Sequence, residues 1–303
     1  MSTLLQFEAA PEKPSKRRKP RIDAHHHLWR YTAEEFQWIE EPMAALRRDF
    51  LVEDFNEVLS LADIDTAISV QARQSLQETQ WLLNCADQTD GICGVVGWAP
   101  LLTESLPSAL DQFADNPKLV GIREIVQAEP EGFLDQSSFD RGIAELTRRD
   151  LAYDLLIRDR QLQEATRFVD RHPRQRFVLD HSAKPSIANA QLDPWRHQIA
   201  CLAKRQNVFC KLSGLVTEAN WSGWTLNHLR PYLDVCVEVF GPERLMAGSD
   251  WPVCLVASTY SRWWSTLSEY FAPFSDPEIE SIFGGTAAEF YRPALVPRST
   301  NEA

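Results

Sequence analysis

Apolar and polar positions follow two alternating rhythms along this chain of 303 residues. Eight short apolar or β-branched runs, at 22–27, 67–71, 94–98, 120–125, 153–157, 177–181, 208–212 and 245–249, read as strands. Between them apolar residues recur at three- and four-residue steps, as in Leu82, Cys85 and Ala86 or Leu162, Ala165 and Val169. That spacing lays one apolar stripe along a helix and predicts helices over 53–61, 76–86, 139–149, 162–169 and 226–240. Strands alternating with helices of this length imply a parallel sheet, and eight of them imply closure into a single (β/α)8 barrel. An open doubly wound sheet is the rival, but no G-x-G-x-x-G loop follows the first strand to support it.

Two long connections, 184–194 and 217–224, follow the sixth and seventh strands, at the barrel face where enzymes of this architecture build their sites. Asp276-Pro277 opens a last helix over 276–291. The expected organisation is a disordered basic tail over 1–20, a barrel domain over 21–293 and a frayed tail over 294–303.

Composition narrows the partners. A net charge of −12 argues against nucleic acid or an anionic membrane surface, since both call for a basic face. There is no run of about 18 apolar residues to cross a bilayer. The segment 1–20 lacks the apolar stretch of a signal peptide and carries Lys16-Arg17-Arg18-Lys19. The six cysteines are scattered, four of them in apolar patterns, which suits buried thiols in a reducing cytoplasm. Ten tryptophans are many for this length, and some are expected to line a pocket for a small organic ligand. Assembly into a homo-oligomer is compatible with the sequence.

Candidate chemistry begins at Asp23-Ala24-His25-His26-His27-Leu28-Trp29. Strand alternation predicts that His25 and His27 point one way, with Asp23 below them and His26 facing the opposite side. Further polar residues gather at other strand ends: Arg73 after the second, Arg123 and Glu124 on the fourth, His181 on the sixth, Asp250 after the eighth. A closed barrel brings all of these to one face. Three imidazoles and one carboxylate then form either a ligand set for one Zn²⁺-like ion or a metal-free acid–base site, with Asp250 as general base. The bland alternatives are that His181 caps its loop and Asp250 merely opens a turn. His172, His197 and His228 read as solvated or capping residues. No G-x-S-x-G elbow, H-E-x-x-H helix or Walker loop is present, so water is the expected nucleophile.

With these residues in view, the chain resembles the amidohydrolase superfamily, and within it the L-fuconolactonase-like sugar-lactonase branch. The likeness runs through Asp23 to Arg30, Val70-Gln71-Ala72-Arg73, Val95-Val96-Gly97-Trp98 and Val178-Leu179-Asp180-His181 with Lys184-Pro185. It continues in Cys210 to Ala219 and in Gly248-Ser249-Asp250-Trp251-Pro252-Val253-Cys254. The resemblance implies a distorted barrel, metal-ligand or carbonyl-binding roles for His25, His27 and His181, and a general-base role for Asp250. It implies one divalent metal, Zn²⁺ by preference and dispensable in some relatives, because the bridging lysine of two-metal members has no evident counterpart. The implied reaction opens a neutral sugar lactone to its aldonic acid, with Trp29, Arg73, Arg123, Glu124 and Trp251 orienting the sugar. Two departures stand out: His26 where near relatives often carry Gln, and Arg123-Glu124 where they carry Arg-His. Glu124 would favour neutral hydroxyl-rich substrates if it reaches the pocket, which strand alternation permits only if the strand has already turned. The alternatives are a decarboxylase of a small unsaturated or aromatic acid and a barrel that binds a ligand without catalysis.

Overall fold

The computed structural model describes residues 19–293. Of the tails expected at 1–20 and 294–303, residues 1–18 and 294–303 lie outside the described residues. Eight strands follow one another in a single sheet, each parallel to the next: β1 (Ile22–His26), β2 (Thr66–Val70), β3 (Ile92–Gly97), β4 (Leu119–Ile125), β5 (Ala152–Leu156), β6 (Phe177–Leu179), β7 (Val208–Leu212) and β8 (Leu245–Ala247). Just beyond β8 the ring closes on β1. The Asp250 N–H donates to the His25 carbonyl at 2.7 Å, and the His27 N–H to the Trp251 carbonyl at 2.6 Å. The fold is a single-domain (β/α)8 barrel with a seam between its first and last strands.

Helices cover the outside: α1 (Val52–Leu61), α2 (Leu76–Asp87), α3 (Leu106–Asp111), α4 (Ser137–Arg148), α5 (Leu162–Arg171), α6 (Trp195–Ala203), α7 (Leu226–Phe240) and α8 (Tyr260–Phe271). All five helices expected from apolar spacing are present. The spacing does not announce α3, α6 or α8; α3 spans six residues and α6 nine, too short to repeat a stripe. The last segment is not one regular helix. It runs as α9 (Asp276–Glu280), a wider π turn over Ser281–Gly285, and α10 (Thr286–Tyr291). Gly284 in that turn meets the start of the barrel, where a Cβ would stand 2.0 Å from the Pro20 carbonyl oxygen.

Two apolar layers result from strand alternation. Outward residues such as Val95, Ile122, Tyr153, Phe177 and Leu212 pack under the helices. Inward residues Ile22, Ala24, Ile68, Val70, Val96, Val178 and Met246 fill the barrel, and Ala287, Phe290 and Tyr291 of α10 close the same cluster. Each fully buried side chain of this size contributes about 1.5–3 kcal/mol, so the plug and staves together hold the strand ends in place.

Strict alternation fails in β1. Its pairing with β2 slips by one residue between Asp23 and His26. The extra residue puts both Ala24 and His25 on the inner side and leaves Asp23 on the outer side with His26. Asp23 therefore does not lie below His25 and His27 as alternation alone predicts. It accepts hydrogen bonds from the Ser249 N–H at 2.8 Å, the Ser249 hydroxyl at 2.6 Å and the Tyr260 hydroxyl of α8 at 3.1 Å.

Candidate active site

His25 and His27 leave β1 on the inner side with their Nε2 atoms 3.2 Å apart. Asp250, three residues past β8, brings Oδ1 to 3.3 Å from His27 Nε2 and 3.8 Å from His25 Nε2. His181, two residues past β6, completes the group with Nε2 3.8 Å from the same oxygen. All four side chains are buried. Segments from opposite ends of the sequence thus meet in one cluster because closure of the ring puts them there. Asp250 itself holds a backbone φ of 57°, a left-handed conformation uncommon for non-glycine residues.

Each ring is oriented from behind. His27 Nδ1 lies 2.7 Å from the Val70 carbonyl oxygen, which can only accept, so Nδ1 carries a proton and Nε2 faces the cluster. His181 Nδ1 lies 2.9 Å from the Ser213 hydroxyl. His25 Nδ1 faces Asp180 Oδ1 at 3.3 Å and Lys211 Nζ at 3.2 Å. Gly214, at φ +64°, lets the chain pass beneath this group; a Cβ there would lie 2.6 Å from His181 Nδ1 and 3.1 Å from Asp250 Oδ2.

Burial sets the protonation states. It holds His25 well below the ordinary histidine value and His181 at about 4, so both are neutral at pH 7. Burial pushes the Asp250 carboxyl up, but the His181 and His27 rings and the Lys184 ammonium outweigh it, and Asp250 stays ionised. The outcome is two neutral imidazoles, those of His25 and His181, beside one carboxylate.

Beneath the cluster lies a buried set of charges of which sequence reasoning singled out only Arg123. Lys211 on β7 is fully buried, contacts Asp154 of β5, and lies 3.1 Å from Asp180 Oδ1. Tyr291 of α10 donates its hydroxyl to Asp154 at 2.8 Å. Arg123 Nη1 lies 3.0 Å from Asp180 Oδ2. Burial raises the Asp180 carboxyl, yet Lys211, His25 and Arg123 together overcome it and hold Asp180 well below the usual range. A signal was available: Val208-Phe209-Cys210-Lys211-Leu212 places one charge in an otherwise apolar central strand, and such a charge needs partners.

The five residues expected to orient a substrate fall in different places. Arg123 reaches the cluster, with Nη1 3.4 Å from His25 Nε2, but its guanidinium is committed to Asp180 and the Gln71 carbonyl. Glu124 pairs in register with Leu155, an outward position, and accepts a hydrogen bond from Trp98 Nε1 at 3.0 Å. The strand does not turn before it, so Glu124 stays on the side away from Arg123. Trp29 stands next to His27, ring centroids 6.5 Å apart, within a packed group of Phe36, Trp38 and Phe50. Arg73 pairs with Glu35 and shares with Trp29, Glu78 and Trp81 a neighbouring cleft of about 200 Å³. Trp251 is 2 % exposed and packs on Phe50 and Phe55, so its ring belongs to the core. His26 stacks flat on Phe55 at 3.6 Å and bonds to Ser69, facing away from the cluster as alternation predicts. His172 bonds to Asp140, His197 lies by Cys201, and His228 caps α7 through Thr225.

The donor set fits a divalent cation. Ligands at about 2.0–2.1 Å around a tetrahedral zinc stand roughly 3.3 Å from one another. His25 Nε2 and His27 Nε2 are 3.2 Å apart, and His27 Nε2 and Asp250 Oδ1 are 3.3 Å apart. Asp250 Oδ1 is buried with no hydrogen-bond partner among the described residues, an oxygen left for something else to bind. His25, His181 and Asp250 also place ligand atoms within 4.8 Å of one another.

Comparison with known proteins decides the family. Residues 22–292 match the amidohydrolase family. The chain belongs to it. The L-fucono-1,5-lactonase of Burkholderia multivorans is 38% identical over 283 residues, 89% of this chain and 95% of that protein. The L-fucono-1,5-lactonase of Burkholderia ambifaria is 34% identical over 277 residues, 90% of this chain and 95% of that protein. A crystal structure of an amidohydrolase from Burkholderia multivorans with bound zinc superposes with a TM-score of 0.88 at 38% identity, covering 90% of this chain and 99% of that one. This amidohydrolase is an enzyme of the hydrolase class, in the branch that its sequence resembles. No helix among the described residues is long and apolar enough to cross a membrane.

Proposed function

We propose that this amidohydrolase opens a neutral sugar lactone to the aldonic acid. The observation that carries this reading is the unpartnered Asp250 Oδ1, held 3.3–3.8 Å from three imidazole nitrogens at the C-terminal mouth of the barrel. The two lactonases at 38% and 34% identity support the substrate class.

The chain's own groups divide the work. Asp250 takes a proton from the attacking water as its oxygen bonds to the lactone carbonyl carbon. It then returns that proton to the ring oxygen as the ring C–O bond breaks. The His181 and His27 rings and the Lys184 ammonium outweigh burial and keep Asp250 ionised, so its oxygen is open to accept the proton. The Val70 carbonyl and the Ser213 hydroxyl keep His27 and His181 from rotating, so the reacting groups need no rearrangement at the moment of reaction. When held by His25, His27, His181 and Asp250, a divalent cation such as Zn²⁺ supplies Lewis acidity toward the lactone carbonyl. Five buried free thiols support a cytoplasmic location.

A pH-indicator assay across five- and six-membered aldonolactones, with and without chelator, tests the reading. Acid release is expected from at least one of them. Asp250→Asn should lower kcat by about 10²–10⁴-fold with an unchanged unfolding midpoint. Near-parental turnover in that variant, or release of carbon dioxide from an unsaturated acid with no lactone opened, would overturn it.

A further inference from the structure

The turn that carries His181 has a second feature. Four consecutive residues, His181, Ser182, Ala183 and Lys184, hold φ values of 53°, 51°, 59° and 52°. L-residues avoid a run of left-handed conformations, so it persists only where the surroundings impose it. The Lys184 N–H donates to the His181 carbonyl at 2.8 Å, which fixes the lysine against the same wall as the histidine. The Ala188 N–H donates to the Glu218 carbonyl at 2.8 Å and ties this loop to the turn Leu215–Glu218 that follows β7.

Lys184 and Glu218 are consequently neighbours on one side of the mouth, both half-buried. Among the described residues, the Lys184 ammonium and the Glu218 carboxylate each have no hydrogen-bond or ion-pair partner. Burial lowers Lys184 and raises Glu218, and after burial each is the leading influence on the other, with Arg158 and Asp250 also acting on both. Each acts on the other's charge, yet the two side chains make no direct ion pair. The deeper charges are not available for binding, because Arg123, Lys211, Asp154 and Asp180 are committed to one another.

We propose that Lys184 and Glu218 form the specificity wall of the site, gripping one hydroxyl of the substrate ring between them. The ammonium donates to the hydroxyl oxygen, and the hydroxyl donates its proton to the carboxylate. A neutral hydroxyl can satisfy both partners at once. A substrate carboxylate would satisfy Lys184 but meet the repulsion of Glu218 and Asp250, and a plain lactone would leave both groups unpaired. The assignment rests on the lactone reading and narrows it to neutral polyhydroxylated rings.

Steady-state kinetics on a polyhydroxylated six-membered lactone and on unsubstituted δ-valerolactone test it in Lys184→Met, Glu218→Gln and the double variant. Each single variant should lose about 10–100-fold in kcat/KM on the hydroxylated lactone, mainly through KM. The loss on δ-valerolactone should be at least about tenfold smaller. The double variant should cost little more than either single one, since both residues hold the same hydroxyl. Lys184→Arg should recover part of the loss, and thermal unfolding identifies any variant that fails to fold, leaving Glu218→Gln to decide. Equal losses on the two lactones would sink the proposal. If no lactone is turned over, calorimetric binding of a polyhydroxylated sugar lactam separates the two ideas. Binding by the parent protein that is lost in Lys184→Met keeps the wall while the lactonase reading fails. No binding by the parent, or equal binding by both proteins, overturns the wall.

Discussion

Lys211 Nζ lies 3.2 Å from Nδ1 of His25, although 186 positions separate the two residues. The ammonium also meets Asp154 and Asp180, so two carboxylates and an imidazole nitrogen surround it. Removing one member of such a buried set strands the others. Lys211→Met should therefore destabilise the barrel by about 3–5 kcal/mol, read as a lower urea midpoint. Replacing Asp154 by leucine in the same chain should return part of that loss. A further drop in the double variant would mean that the charges do not act as one set.

Gly214 faces His181 and Asp250 so closely that even a methyl group has no room. Gly214→Ala combines a disfavoured φ with a push on the His181 ring. Displacements of this kind cost about 10²-fold in rate, so kcat should fall by that order. The unfolding midpoint should move far less than the rate, which parallel kinetics and urea curves would compare.

Glu124 gives the fold a pH dependence. Burial raises its carboxyl from 4.5 to about 7, with the Trp98 indole pulling the other way. Below pH 4.5 the group is protonated in folded and unfolded chains alike, and it costs nothing. As pH rises from 4.5 toward 7, the unfolded chain releases its proton while the folded chain keeps it, so stability falls; above about 7 the loss is complete. Urea midpoints taken across this range should decline more steeply in the parent than in Glu124→Gln, whose amide oxygen can still accept from Trp98.

A cation held by the three histidines and Asp250 should stabilise the native state. Zinc at 100 times its dissociation constant adds about 2.7 kcal/mol, enough to raise Tm by several degrees. His181→Ala should respond less to added zinc, and chelator should lower the parent's Tm without touching the variant's. Equal zinc shifts in both proteins would place the ion elsewhere.

The barrel and its meeting of His25, His27, His181 and Asp250 were legible because strand ends of a closed parallel sheet share one face. What escaped was local. The slip in β1 pairing turned Asp23 outward, and no composition rule reports a bulge. β6 ends at Leu179; Asp180 still points inward by alternation, whereas His181 joins it through left-handed backbone that alternation cannot describe. Glu124 obeyed alternation, and its outward position followed from a strand that runs on to Ile125. Lys211 and Asp154 were readable as charges inside apolar strands but carry no motif. The π turn at Ser281–Gly285 depends on where Pro20 passes, a contact between the two ends of the chain.

The seam has a consequence for how the enzyme is born. The hydrogen bonds that join the first stave to the last come from the backbone of His25, His27, Asp250 and Trp251. A nascent chain carries its histidines from the outset, yet they remain without their acid until the eighth stave emerges from the ribosome and docks. Under the proposed mechanism, catalytic competence and completion of the ring are then a single event, and turnover is a direct gauge of whether the circle has shut.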